Sequence, residues 1–299
     1  MFSLQANPCC ARKRRYDSRF VSAPLIVIEA GKTERGYWQD LWRFRELFFF
    51  FSWRDLLVRY KQTVIGVLWA VIRPTLTMII FTFIFSKLAN MPSDGLPYPV
   101  MVLAGMLPWM FFSSSLSEAS NSLIANANML SKIYFPRLVL PASAVIVSFV
   151  DFLITLVLMG VLMAWYRVLP DWHLVALPLF AALGFFASMG ASLWLAALNV
   201  KYRDFRYVIP FIVQFGMYVT PVGYPTEIVG QKYGALALRL YSLNPMVGVV
   251  NGFRWAIGGR ENVPMDWTSL GLAVVIVAGL VISGLTYFRA TEDGFADII

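Results

Sequence analysis

From residue 64 onward the chain alternates long apolar runs with short polar stretches. The runs at 64–87, 99–124, 138–165, 172–198, 207–222 and 266–288 predict six membrane-spanning helices. Each except the fifth supplies the ~20 residues needed to cross a hydrocarbon core. The fifth is short and ends in TPVGYP, which predicts that it continues as broken or re-entrant structure. Lipid tolerates such an interruption only where protein or a water-filled cavity satisfies the freed backbone groups. The stretch 223–264 that follows is apolar but broken at Asn244-Pro245 and at several glycines, so it reads as two short helices dipping into the outer membrane surface.

Two segments depart from this pattern. Residues 37–63 hold a short apolar run closely flanked by charges. That suits an amphipathic helix lying in the cytoplasmic interface, with Trp and Phe in the acyl boundary and Arg toward the headgroups. The loop NANMLSKIYFPRLVLP, residues 126–141, is too polar for lipid. It nonetheless carries Met129, Leu130, Ile133, Tyr134 and Phe135, which a solvated turn does not need.

Composition sets the class. Hydrophobic residues make up 59% and charged residues 14% of the 299, against roughly 45–50% and 25% in a soluble domain. The surplus must face something other than water, so the expected fold is an all-α polytopic membrane protein. Its expected parts are a basic tail (1–36), an interface helix (37–63), a transmembrane domain (64–288) and a C-terminal tail (289–299). The net charge of +8 is unevenly spread: segments 1–63, 125–137, 199–207 and those beyond 288 hold 18 Lys and Arg, while 88–98, 166–171 and 223–264 hold 5. Positive charge stays inside, so both termini are expected in the cytoplasm, and no nucleic-acid partner is needed to explain the charge. Arg12 to Arg15 are followed by no apolar stretch of signal-peptide type, so no cleaved secretory signal is expected, and the tail suits anionic lipid.

Candidate chemistry is sparse. Cys9 and Cys10 are adjacent, and His173 is the single histidine, so neither a disulfide framework nor a metal site is expected. Gly31-Lys32-Thr33 imitates the end of a P-loop, but Ile26 stands where the motif needs its first glycine. The chain is not expected to bind ATP. Arg73, Glu118 and Asp151 are charges inside predicted spans, and such charges usually face a bundle interior. Arg73 and Glu118 lie at similar depths, which leaves two readings: an ion pair, or a snorkelling Arg73 with Glu118 in a wet vestibule. Asp151 lies deeper without an obvious partner. Gly184, Ser188 and Ser192 repeat every four residues, a small-residue face for close helix packing. Trp109, Phe111, Phe112, Tyr218 and Tyr224 are candidates either for interface anchors or for a channel lining on which sugar faces stack.

The strings SWRDLLVRYKQTVIGVLWAVIRPTLTMIIFTFIF, YPVMVLAGMLPWMFFSSSL, NANMLSKIYFPRLVLP, AALNVKYRDFRYVIPF, TPVGYP, LNPMVGVVNGFRWAIGG and FADII closely resemble the permease subunits of ABC exporters for polysaccharides and polyol phosphates. The resemblance runs from about residue 25 to the end. It implies a channel of two permease subunits in a bacterial inner membrane, with two separate ATPase subunits beneath it that bind ATP and Mg. It also implies six spans, an interface helix, gate helices near 223–264, and a lipid-linked glycan of O-antigen, capsule or teichoic-acid type as substrate. In the family the loop between spans two and three couples to the ATPase. The resemblance therefore marks Asn126, Met129, Leu130, Lys132, Ile133, Tyr134, Phe135, Pro136 and Arg137. It places Lys201, Tyr202, Arg203, Asp204 and Arg206 near the same interface, with Asp204 expected to cap the next helix or pair with an arginine. Arg54, Asp55, Arg59, Tyr60 and Lys61 match the junction of interface helix and first span, where arginine suits a substrate phosphate. A small-molecule or drug exporter of the same architecture is the alternative. A membrane-embedded glycan-processing enzyme is more remote, since the chain lacks clustered carboxylates.

Overall fold

The computed structural model describes residues 37–61, 66–93, 95–133, 135–169 and 171–295. The basic tail with Cys9, Cys10 and the GKT decoy, and also Tyr134, lie outside them. The described chain forms α1 (Tyr37–Arg43), α2 (Arg45–Lys61), α3 (Leu68–Thr82, prolonged by a π-helical turn Phe83–Leu88), α4 (Tyr98–Ala125), α5 (Ala127–Leu130) and α6 (Val139–Trp165). A 3-10 turn, Trp172–Ala176, leads into α7 (Leu177–Lys201), followed by α8 (Phe205–Val219), α9 (Glu227–Tyr241), α10 (Pro245–Asn262) and α11 (Trp267–Thr291). No strand occurs among the described residues.

Among the described residues, five helical stretches are long and apolar enough to cross a membrane: 68–88, 98–125, 139–165, 172–201 and 267–291. They correspond to predicted spans one to four and six. The predicted fifth is the 15-residue α8, about 22 Å long at 1.5 Å per residue against a hydrocarbon core of about 30 Å. It stops where Thr220 turns extended, so the interruption expected at TPVGYP is present. The two short helices expected beyond it are α9 and α10, each kinked at a glycine with positive φ, Gly234 and Gly259. Local chemistry sets the starts of the last two helices. Asn244 accepts from the Met246 amide ahead of Pro245 at the first helical position. Asp266 accepts from the Thr268 and Ser269 amides.

α4 is the central helix. Its segment 100–104 is buried on every side, as expected of a helix that is apolar all round, and it packs against α6, α7, α10 and α3. A second apolar cluster joins Phe51 of α2 to Leu130, Phe135, Leu138, Phe288 and Phe295, so the interface helix is fastened to the loop after α5 and to the end of α11. Gly184, Ser188 and Ser192 are all buried, yet the closest approach to the α7 backbone is elsewhere. A Cβ on Gly284 of α11 would lie 2.5 Å from the Gly190 carbonyl oxygen. Gly284→Val is therefore expected to force α7 and α11 apart and sharply lower the amount of folded protein in membranes. Gly279→Val, on the same helix where a Cβ meets nothing within 4 Å, serves as the control, and equal abundance of the two variants would refute the contact.

Candidate functional site

The last turn of α2 carries Arg59 and Tyr60 toward two spans. Arg59 Nη2 donates to Glu118 Oε1 of α4 at 2.8 Å, and its Nη1 pairs with Asp151 Oδ2 of α6. The Tyr60 hydroxyl donates to the other Asp151 oxygen. Burial, and then that hydrogen bond, push the Tyr60 phenol above its ordinary range. One planar guanidinium thus joins three helices, a task its fork of donors suits better than an ammonium.

This network borders a cavity of about 740 Å³. Arg59, Tyr60, Arg73, Glu118 and Asp151 line it together with Ser113, Ser114 and Ser117 of α4, and Leu107, Met110, Phe111 and Phe152 form apolar wall. The three charges singled out inside spans therefore meet one space. They do not pair as the depth argument allowed. Glu118 and Asp151 both take Arg59, while Arg73 is exposed and makes no ion pair among the described residues. The partner of both carboxylates lies outside the spans, on the interface helix folded against them.

The rest of the junction holds the loop before α6. Arg54 pairs with Asp55 at 2.8 Å, donates to Asn126 Oδ1 at 3.3 Å, and its guanidinium lies 5.1 Å from the Phe51 ring centroid. Lys61 is exposed. Of the proposed coupling residues, Leu130, Phe135 and Pro136 are buried, and Asn126, Met129 and Arg137 are half-buried. Phe135 is only 5% exposed and its ring packs 5.8 Å from Phe51. It belongs to the protein's own core, which corrects the expectation that its ring is free for a partner. Lys132 and Ile133 remain exposed. Lys201, Tyr202, Arg203, Asp204 and Arg206 are all exposed. The Asp204 side chain neither caps α8 nor pairs with an arginine among the described residues.

The aromatic candidates divide sharply. Trp109 is buried beneath Gly216 of α8, where a Cβ would lie 2.6 Å from its ring. Phe111 is buried among Phe149, Phe152 and Phe185 and reaches the cavity edge. Phe112 is half-buried against Trp109. Tyr218 is 64% exposed. The half-buried Tyr224 donates to the Tyr218 carbonyl at 3.1 Å and meets the Tyr241 hydroxyl at 2.9 Å. Trp109 is thus excluded as a lining residue of an open channel, for one α-helix offers faces that periodicity does not sort.

One residue escaped the sequence reading. Arg254 of α10 is 2% exposed and donates to the carbonyls of Val222 at 3.0 Å and Tyr224 at 2.8 Å. By charge alone it counts as one more loop cation. The available signal was its position within GFRWAIGG, where an arginine among apolar residues needs acceptors nearby.

The sequence profile described as ABC-2 type transporter matches residues 46–257. The chain belongs to that family. An O-antigen export system permease protein, RfbA, of Myxococcus xanthus is 30% identical over 263 residues, covering 87% of this chain and 98% of its own. RfbA of Klebsiella pneumoniae is 28% identical, covering 82% and 92%. The polysialic acid transport protein KpsM of Escherichia coli is 21% identical, covering 80% and 91%. This ABC-2 transporter chain is accordingly a multi-pass membrane protein. The matched range takes in α2, the Arg59 network, the α5 loop and Arg254, and ends before α11.

Proposed function

We propose that the chain is the transmembrane subunit of an ABC exporter that moves a lipid-linked polysaccharide of O-antigen type across the bacterial inner membrane. The observation that carries this reading is the likeness to the Myxococcus xanthus RfbA, which spans almost all of that protein. The cavity is consistent with it. Its wall is mainly apolar, as a lipid tail requires, and Arg73, which makes no ion pair among the described residues, supplies donors for an anionic linkage to a glycan. In this reading two copies form the channel, with α8 and the turn after it acting as the fifth crossing. Both termini face the cytoplasm, as the spread of Lys and Arg argues. Lys132 and Ile133 meet an ATPase subunit, which binds ATP and Mg.

Two measurements test the proposal. Deleting the gene is expected to abolish surface polysaccharide while lipid-linked glycan accumulates inside. Normal surface polysaccharide together with new sensitivity to lipophilic drugs would favour the small-molecule reading. The purified chain alone is expected to show no saturable ATP binding, since Ile26 leaves the GKT without its first glycine. Saturable binding without the partner would refute that part.

A further inference from the structure

The turn that follows α8 is unwound in a region packed against α4 and α10. Its successive carbonyls at Val222, Gly223 and Tyr224 each accept from a side chain. Arg254 Nη2 donates to the first at 3.0 Å, the Tyr98 hydroxyl to the second at 2.7 Å, and Arg254 Nη1 to the third at 2.8 Å. Freed carbonyls away from water need such donors, and here two side chains from two helices provide all three. Gly105 completes the fit. A Cβ there would lie 2.9 Å from the Val222 oxygen and 3.1 Å from Arg254 Nη2, so only glycine lets α4 close over the guanidinium.

The same turn carries the half-buried Tyr224 ring. Its hydroxyl reaches back to the Tyr218 carbonyl and meets Tyr241, and its ring lies 6.4 Å from that of Phe85. Fixing the backbone at 222–224 therefore fixes an aromatic face next to the exposed Tyr218. Sugar rings stack their C–H faces on such surfaces.

We propose that Arg254 and Tyr98 are positioning residues for export: they hold the carbonyls at 222–224 and thereby aim Tyr224 at the passing glycan. This rests on the export reading given above. Lysine cannot replace Arg254 here, because a single ammonium lacks the planar fork that reaches two carbonyls two residues apart.

The test uses the permease co-expressed with its ATPase in a host lacking its own copy of the gene, with the host's own surface polysaccharide as the export readout. Arg254→Lys and Tyr98→Phe are compared with the native chain and with Tyr224→Ala. Each clamp variant is expected to lower surface polysaccharide per copy of permease about fivefold or more, the weight of one lost hydrogen bond. In the Tyr224→Ala background Arg254→Lys is expected to cause no further loss, since residues acting through one another are not additive. Hydrogen exchange on the purified complex gives a readout that needs no glycan: both clamp variants should accelerate exchange across 220–226 while α6 and α7 stay protected. Unchanged exchange there overturns the clamp whatever is exported. Faster exchange with undiminished export, or an equal further loss in the Tyr224→Ala background, overturns the positioning role. Collapse of abundance in both variants, including Tyr98→Phe which removes one oxygen, makes the pair a folding element only and also overturns it. Failure of the export reading shows separately, as equal surface polysaccharide with and without the native gene.

Discussion

Replacing Arg59 with methionine is expected to lower the abundance of the folded permease severely, while Arg73→Met leaves it nearly unchanged. Arg59 is the shared partner of Glu118 and Asp151, and its loss strands two carboxylates on one cavity wall. Stranding one member of a fully buried pair costs about 3–5 kcal/mol. The Glu118 side chain is 54% exposed and the Asp151 side chain 27%, so water screens part of the effect, and about 1–3 kcal/mol is expected. That is enough to shift a marginally stable protein. The informative variant is the triple change Arg59→Met, Glu118→Gln, Asp151→Asn. With no charge left unpaired, abundance should recover well above that of Arg59→Met alone, the non-additivity expected of groups in contact. Membrane abundance measured by immunoblot, with thermal unfolding of the purified protein, decides it. Strictly additive losses, or an Arg73→Met defect as large as that of Arg59→Met, would show that the network is not what ties α2 to the spans. Export separates a second role. If Arg59 also meets an anionic substrate group, the triple variant stays export-deficient after its abundance recovers.

The helices were largely legible because each depends on a local signal. Runs such as 138–165 are long and uninterrupted, and the observed α6 covers Val139–Trp165. The break after α8 was legible for the same reason, since Pro221 and Gly223 stand at the end of a run too short to cross. The site was legible only as a set of unusual residues. Glu118 and Asp151 stand out because ionised groups are rare in spans. Their partner depends on how the interface helix docks, and no periodicity within α2 encodes that. Phe135 shows the limit most clearly. In sequence it is one more aromatic beside Lys132, Ile133 and Tyr134, and only the fold turns its ring onto Phe51. Arg254 was hidden for the opposite reason: its acceptors are backbone carbonyls, and carbonyls carry no mark in a sequence.

The loop after α5 therefore splits into two experiments with opposite outcomes. Phe135→Ala is expected to destabilise the permease itself. Truncating a buried Phe typically costs about 3–5 kcal/mol, and here the lost ring also removes one packing contact of Phe51 on the interface helix. Membrane abundance should fall steeply, and any loss of ATPase binding would follow from that fall. Ile133 is 60% exposed, and Lys132 beside it is exposed as well, so neither supports the core. Ile133→Ala and Lys132→Glu should leave abundance and thermal unfolding near those of the native protein. If this tip seats in the ATPase, Ile133→Ala removes an apolar anchor. At about 2 kcal/mol such an anchor weakens affinity by well over tenfold. Lys132→Glu should weaken association most at low salt, because a rim charge acts by steering encounter and is screened over about 10 Å at 0.1 M. Co-purification of the ATPase across a salt series, normalised to permease abundance, separates these effects. A Phe135→Ala protein that accumulates normally yet loses its ATPase would return that ring to the docking surface. Normal co-purification by Ile133→Ala and Lys132→Glu together would place the coupling element elsewhere, with the exposed segment 201–206 the next to test.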